Sequence, residues 1–196
     1  MNVVIVKNKE KFYSKLFLYK TFFYNNIEFK TEIEDEELES IIKALNIKKR
    51  NKRIEYIYDY CCTKIDKFYE GKNLCNFKDN KCIMHQDPNC NHYNGCCSLC
   101  FYQSEKGCKS ANLSCKLFYC DKIKEENEIL RFNDLKILKL YSLRQRLITK
   151  YNYFASREEF LNCLKIGLLF YYSFGVIKRM IRNTYFCRKR LKNKEK

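Results

Sequence analysis

Nine of the chain's thirteen cysteines, and both of its histidines, fall within residues 75–120. They are Cys75, Cys82, Cys90, Cys96, Cys97, Cys100, Cys108, Cys115 and Cys120, with His85 and His92. The same stretch contains the single proline, Pro88, and turn signals at Pro88-Asn89 and Asn94-Gly95. It has no continuous apolar stripe. A segment of this size with so little hydrophobic patterning does not hold one shape by packing alone. Thiolate and imidazole are the ligands that zinc and iron–sulfur clusters select. The distribution therefore predicts a segment shaped by bound metal.

The spacings support chelation. Cys97-Ser98-Leu99-Cys100 is a C-x2-C, which lets two sulfurs reach one ion from one tight turn, and Cys115 with Cys120 forms a C-x4-C fourteen residues later. Cys97, Cys100, Cys115 and Cys120 are the first candidate ligand set. Cys75, Cys82, Cys96 and Cys108 are candidates for a second site, because adjacent Cys96 and Cys97 seldom serve the same ion. Cys90, His85 and His92 are the spares. Zinc suits four thiolates in a closed tetrahedron, and a [4Fe–4S] cluster also takes four cysteines. The ferredoxin run C-x2-C-x2-C is absent, and the C-x3-C-x2-C that Cys96 and Cys100 begin is broken by Gln103. Unligated thiols at this density would be an oxidation liability, which favours metal over scattered buried thiols. The opposite reading suits Cys61, Cys163 and Cys187, as small buried hydrophobes on helices. A redox role for Cys97 and Cys100 needs a βαβ setting that the sequence does not display.

Asn94-Gly95-Cys96-Cys97-Ser98-Leu99-Cys100, Lys106-Gly107-Cys108 and Leu113-Ser114-Cys115-Lys116-Leu117-Phe118-Tyr119-Cys120 resemble small cysteine-rich proteins of low-GC bacteria with no assigned function. The resemblance extends to Arg53–Phe68 and to Ser156-Arg157-Glu158-Glu159-Phe160. It implies a cytoplasmic protein with helices flanking a cysteine module, and no activity. The Cys96-Cys97 doublet is also similar to the YkgJ-type cysteine clusters, which are zinc- or iron-chelating.

The flanks read as helices, giving a mainly α chain in three parts: a helical part over 1–74, the cysteine module over 75–120, and a helical part with a basic tail over 121–196. Phe12, Leu16, Tyr19 and Phe23 make a stripe between Lys9 and Tyr24. Thr31 with Glu34 resembles a capping box, with Leu38, Ile41, Ile42 and Leu45 as the buried face of the helix it opens. Ile54, Ile57, Tyr58, Cys61, Ile65 and Phe68 are in register from Lys52 to Tyr69, and Gly71 is a stop signal. Val3–Val6 suits a short strand. Asn133 or Asp134 is expected to cap a helix through Thr149, with Leu135, Leu138, Leu140, Leu143, Leu147 and Ile148 as its apolar residues. Ser156 with Glu159 is a second capping box, leading Phe160, Leu161, Leu164 and Leu168. Ile166–Ile177 is apolar nearly all round and, at twelve residues, is expected to be a buried core helix.

The formal charge of +16 comes from 39 basic and 23 acidic residues. Ala occurs only three times while Lys outnumbers Arg 29 to 10, so part of the excess reflects A/T-rich codons. The excess is also uneven: Lys178–Lys196 carries nine basic residues against Glu195. Besides a solvated tail, this segment suits nucleic acid or an anionic membrane surface, through Lys178, Arg179, Arg182, Arg188, Lys189 and Arg190. A protein partner is a further reading. No phosphate-binding glycine loop and no H-E-x-x-H occurs, and Glu125-Glu126 and Glu158-Glu159 read as helix-dipole partners at helix starts. Nothing favours an enzyme. The apolar run Val3–Val6 is too short for an export signal, so a cytoplasmic setting with reduced thiols is expected.

Overall fold

The structure is a computed structural model that describes residues 2–23, 26–72, 74, 77–78, 81–82, 103–104, 107–108, 112–119 and 121–192. Within these, 22–23, 77–78, 81–82, 103–104, 107–108, 121–122 and 187–192 are described as backbone only.

The architecture is mainly helical. Strand β1 (Asn2–Val6) leads to α1 (Lys9–Leu18), a π-helical turn (Tyr19–Phe23) and β2 (Ile27–Thr31). β1 and β2 pair in parallel, Asn2 opposite Ile27 and Val6 opposite Thr31. The short strand expected from Val3–Val6 is thus present, and its partner makes an unforeseen βαβ unit, which contains no cysteine. Phe12 of α1 lies in this layer with its ring 5.6 Å from Tyr19 and 6.1 Å from Phe29. Asn46 then acts as a substitute strand: its side chain accepts from the Phe29 amide at 2.9 Å and donates to the Phe29 carbonyl at 2.8 Å.

Helix α2 (Glu36–Asn46) opens at Asp35, whose Oδ1 accepts from Leu38 N at 2.7 Å. The expected cap at Thr31 is corrected: Thr31 ends β2, and its hydroxyl is occupied with the Val6 carbonyl and the Ile33 amide. Leu38, Ile41, Ile42 and Leu45 are buried as their spacing requires. Helix α3 (Arg50–Phe68) presents Ile54, Ile57, Tyr58, Cys61 and Ile65 to the same interior, and Gly71 beyond it has φ +74°.

Two short hairpins, β3–β4 (Phe77–Lys78, Lys81–Cys82) and β5–β6 (Gln103–Ser104, Gly107–Cys108), precede α4 (Leu113–Lys116) and α5 (Asp121–Glu126). Glu125 and Glu126 end α5 rather than start it. The single helix expected from Asn133 to Thr149 is instead two 3-10 segments, Phe132–Asp134 and Lys136–Leu140, and then α6 (Leu143–Tyr151). Ile137, Leu138, Leu140 and Tyr141 are all buried, a near-continuous run that one helix face cannot accommodate. Ser142 caps α6 with a reciprocal Gln145 box, which leaves Leu143 outside at 72% exposure.

Helix α7 (Arg157–Ile166) carries the expected Ser156–Glu159 box, with Phe160, Leu161 and Leu164 buried. Gly167 ends it at φ +66°, a left-handed position glycine takes without strain. Helix α8 (Leu169–Lys192) follows. The expectation that Ile166–Ile177 is buried is overturned: Ile166, Leu168, Leu169, Phe170, Tyr171, Phe174 and Ile177 are all exposed. Among the described residues no helix is long and apolar enough to cross a membrane.

One hydrophobic core runs from Val6 to Leu164 and joins the N-terminal and C-terminal helical parts. Tyr58 packs 5.1 Å from Phe160, Tyr141 donates to the Ile54 carbonyl at 2.9 Å, and Arg157 forms a bidentate pair with Asp59. Each fully buried Leu, Ile or Phe contributes roughly 1.5–3 kcal/mol relative to exposure.

Candidate functional site

The cysteine-rich stretch leaves and rejoins this body at one place. Past α3, Tyr69 places its ring 5.4 Å from Tyr119, and its hydroxyl accepts from the Leu130 amide at 2.7 Å. Lys116 of α4 pairs with Asp66 of α3. The points at which the chain leaves α3 and returns at α4, with residues 70–111 between them in sequence, therefore lie side by side.

The return point is the better-anchored end. Asn112 caps α4 by accepting from the Cys115 amide at 3.0 Å, while its Nδ2 donates to the Ala155 carbonyl at 2.7 Å and the Asn152 carbonyl at 3.3 Å. Ser114 donates to the Thr149 carbonyl at 2.5 Å and accepts from the Asn152 amide at 3.1 Å. Leu113 between them is fully buried. Cys115 is half-buried and sits on this fixed turn. Asn112, Ser114 and Asn152 are the positioning residues that the sequence pattern did not single out; an Asn three residues before a cysteine, at cap spacing, was the available signal.

Of the candidate ligands, Cys115 alone has a described side chain. Cys82 and Cys108 are described as backbone, at matching places: each ends the second strand of a hairpin, opposite Phe77 and Gln103 respectively. Cys75, Cys96, Cys97, Cys100 and Cys120 lie outside the described residues, as do Cys90, His85 and His92. Among the described residues no three His, Cys, Asp or Glu side chains converge as a metal site would require.

The other cysteines behave differently. Cys61 is fully buried, and burial pushes its thiol well above the ordinary range. Burial likewise pushes Cys62 up to about 11, although Lys116 and the Tyr58 hydroxyl pull the other way. Cys163 is buried, and its thiol is raised by burial against the opposing pull of Arg179. A protonated thiol is neither a nucleophile nor a good ligand. Cys61 and Cys163 are core residues, as their helix positions imply. The side chain of Cys187 is outside the described residues.

The basic candidates divide as well. Arg179 is 4% exposed, donates to Oδ1 of Asn152 and, through Nε, to the Tyr153 carbonyl at 3.2 Å. Arg182 donates to the Phe154 carbonyl at 3.0 Å and lies 3.6 Å from Glu159. Phe154 is the one non-glycine residue with positive φ among those described, at +59°. Both arginines thus clasp the α6–α7 turn and are turned inward, whereas Lys178 is exposed. Arg188, Lys189 and Arg190 are placed on the last turns of α8 by backbone alone.

Comparison with protein-family models, with curated proteins and with solved structures finds no match to this chain.

Proposed function

We propose that the chain is a metal-binding cysteine-cluster protein, with zinc as the preferred ion and a [4Fe–4S] cluster as the other group its thiols suit, and that the metal is structural. One observation carries this reading. The described core is built from residues 6–65 and 113–164, while seven of the nine clustered cysteines and both histidines fall in sequence between Tyr69 and Leu113, with Cys115 and Cys120 just past the point of return. The body has hydrophobic material; the excursion has thiols.

Cys97, Cys100, Cys115 and Cys120 are the first candidate set, and Cys75, Cys82, Cys96 and Cys108 the second. Four-thiolate zinc supplies folding free energy outright, because the site does not exist in the unfolded chain. The shared core already holds the two helical parts together, so the metal's work is confined to shaping the excursion and the surface it offers a partner.

Elemental analysis with a visible spectrum of anaerobically purified protein tests this. Colourless protein with zinc supports a structural site, and brown protein with iron and sulfide supports a cluster. Cys97→Ser or Cys100→Ser is expected to lower bound metal; metal content unchanged in both variants, or wild-type protein free of transition metal, overturns the proposal.

A further inference from the structure

Helix α8 sets a mixed face with one buried arginine against the body and leaves an apolar face outside. Tyr172, Val176, Arg179 and Asn183 face the body. On the opposite side Phe170 is 86% exposed, Phe174 65%, Ile177 57%, Ile181 67% and Tyr185 64%. Their spacing of four, three, four and four residues is one continuous stripe on a helix. At 1.5 Å per residue it is about 22 Å long. Near its start, Leu143, Ile166 and Leu168 line a surface cavity of about 510 Å³ together with Arg50 and Arg144. Exposed apolar side chains thus also occur just before α8, at the end of α7 and at the first residue of α6.

We propose that this face of α8 docks on an anionic lipid bilayer, lying in its surface plane. Charge selects the occupant. α8 contains no Asp or Glu, and with Arg179 and Arg182 turned inward its remaining basic residues are the exposed Lys178 and Arg188, Lys189, Arg190 and Lys192 on its last turns. A second copy laid against it would bring two such helices together and set like charges side by side. An anionic bilayer offers both things the helix presents: acyl chains for the stripe and headgroup charge for Lys178 and the basic last turns. Nucleic acid would meet the charge but leave the phenylalanine and isoleucine side chains in water. With no membrane-crossing helix among the described residues, the geometry is that of a helix lying on the surface. The proposal is independent of the metal.

The test is co-sedimentation of the full chain with vesicles of phosphatidylcholine alone and of phosphatidylcholine containing about one third phosphatidylglycerol. Strong pelleting is expected only with the anionic lipid, weakening as salt rises. Phe170→Asp and Ile177→Asp replace exposed side chains, so their helical circular dichroism and melting should match wild type while partitioning falls at least about ten-fold. Lys178→Glu should lower partitioning on the anionic vesicles. Binding to neither vesicle, or equal binding to both, overturns the proposal. So does a wild-type dimer that Ile177→Asp makes monomeric without vesicle binding, which would give the face to a second copy. Salt-sensitive binding of single-stranded RNA without vesicle binding overturns it too.

Discussion

Arg179, on the inward side of α8, donates to the side-chain oxygen of Asn152 in the turn between α6 and α7. The Asn152 carbonyl receives Asn112, and its amide reaches Ser114. One buried polar network thus ties the last helix to the turn where the cysteine-rich excursion re-enters the body. Replacing Arg179 by Met keeps the stem and removes the guanidinium, leaving the Asn152 and Tyr153 oxygens short of a donor. The expected loss is about 2–3 kcal/mol in urea unfolding, while Lys178→Met, one residue away and exposed, should stay within ~0.5 kcal/mol of wild type.

Asn112 both caps α4 and bridges to two carbonyls. Asn112→Ala is expected to lower stability by about 2 kcal/mol, from the lost cap and the orphaned acceptors. Asn112→Asp retains the cap oxygen but sets a carboxyl group against the carbonyls of Asn152 and Ala155. It should therefore be no rescue, with an unfolding midpoint at or below that of the alanine variant.

The thiol of Cys62 gives a pH signature. Its proton is held up to about 11 in the folded chain, against an ordinary value near 9 once unfolded. Between these values the folded state binds more protons, so this contribution is intact below pH 9 and disappears as pH climbs through 11. Burial of Cys61 and Tyr58 acts in the same direction. Lys20 opposes them, because burial pushes it down to about 8. Cys62→Ala isolates the thiol: its urea midpoints should fall less steeply than those of wild type across that window. Parallel curves would show that the thiol is not the cause.

Chelation separates body from excursion. If the metal shapes only the cysteine-rich stretch, stripping it under reducing conditions should leave most of the far-ultraviolet helical signal and a cooperative thermal transition. A loss of helix in step with metal release would place the ion's influence in the core that Leu38, Ile57, Ile148 and Phe160 share.

What was legible in the sequence was local. The Ser156–Glu159 box spans one turn, and Leu38, Ile41, Ile42 and Leu45 repeat along one face, so each declares itself within a dozen residues. Strand β2 did not, because Ile27–Thr31 is short and its partner lies across a helix. Nor did the segmented run around Ile137–Tyr141, where a sequence of apolar residues suits a long helix until Ser142 is found to start a new one. The apolar run Ile166–Ile177 was visible, but such a run does not say which way it faces. That was decided by Arg179 meeting Asn152, 27 residues distant. For the thiols the same limit holds. Cys61 and Cys163 could be assigned from their helix positions, whereas bringing Cys97 and Cys115 to one ion would depend on the path of the chain between them, most of which lies outside the described residues.

The single core has a consequence for biosynthesis. Phe160, which packs on Tyr58, and Leu164, which belongs to the same core, are translated after every one of the nine clustered cysteines. At about 5–20 residues per second, some 2–9 s separate the appearance of Cys120 from that of Leu164. The nascent polypeptide thus offers these clustered thiols before its hydrophobic interior can close, and an ion held as proposed would have its first opportunity to be captured while the rest of the molecule is still being made.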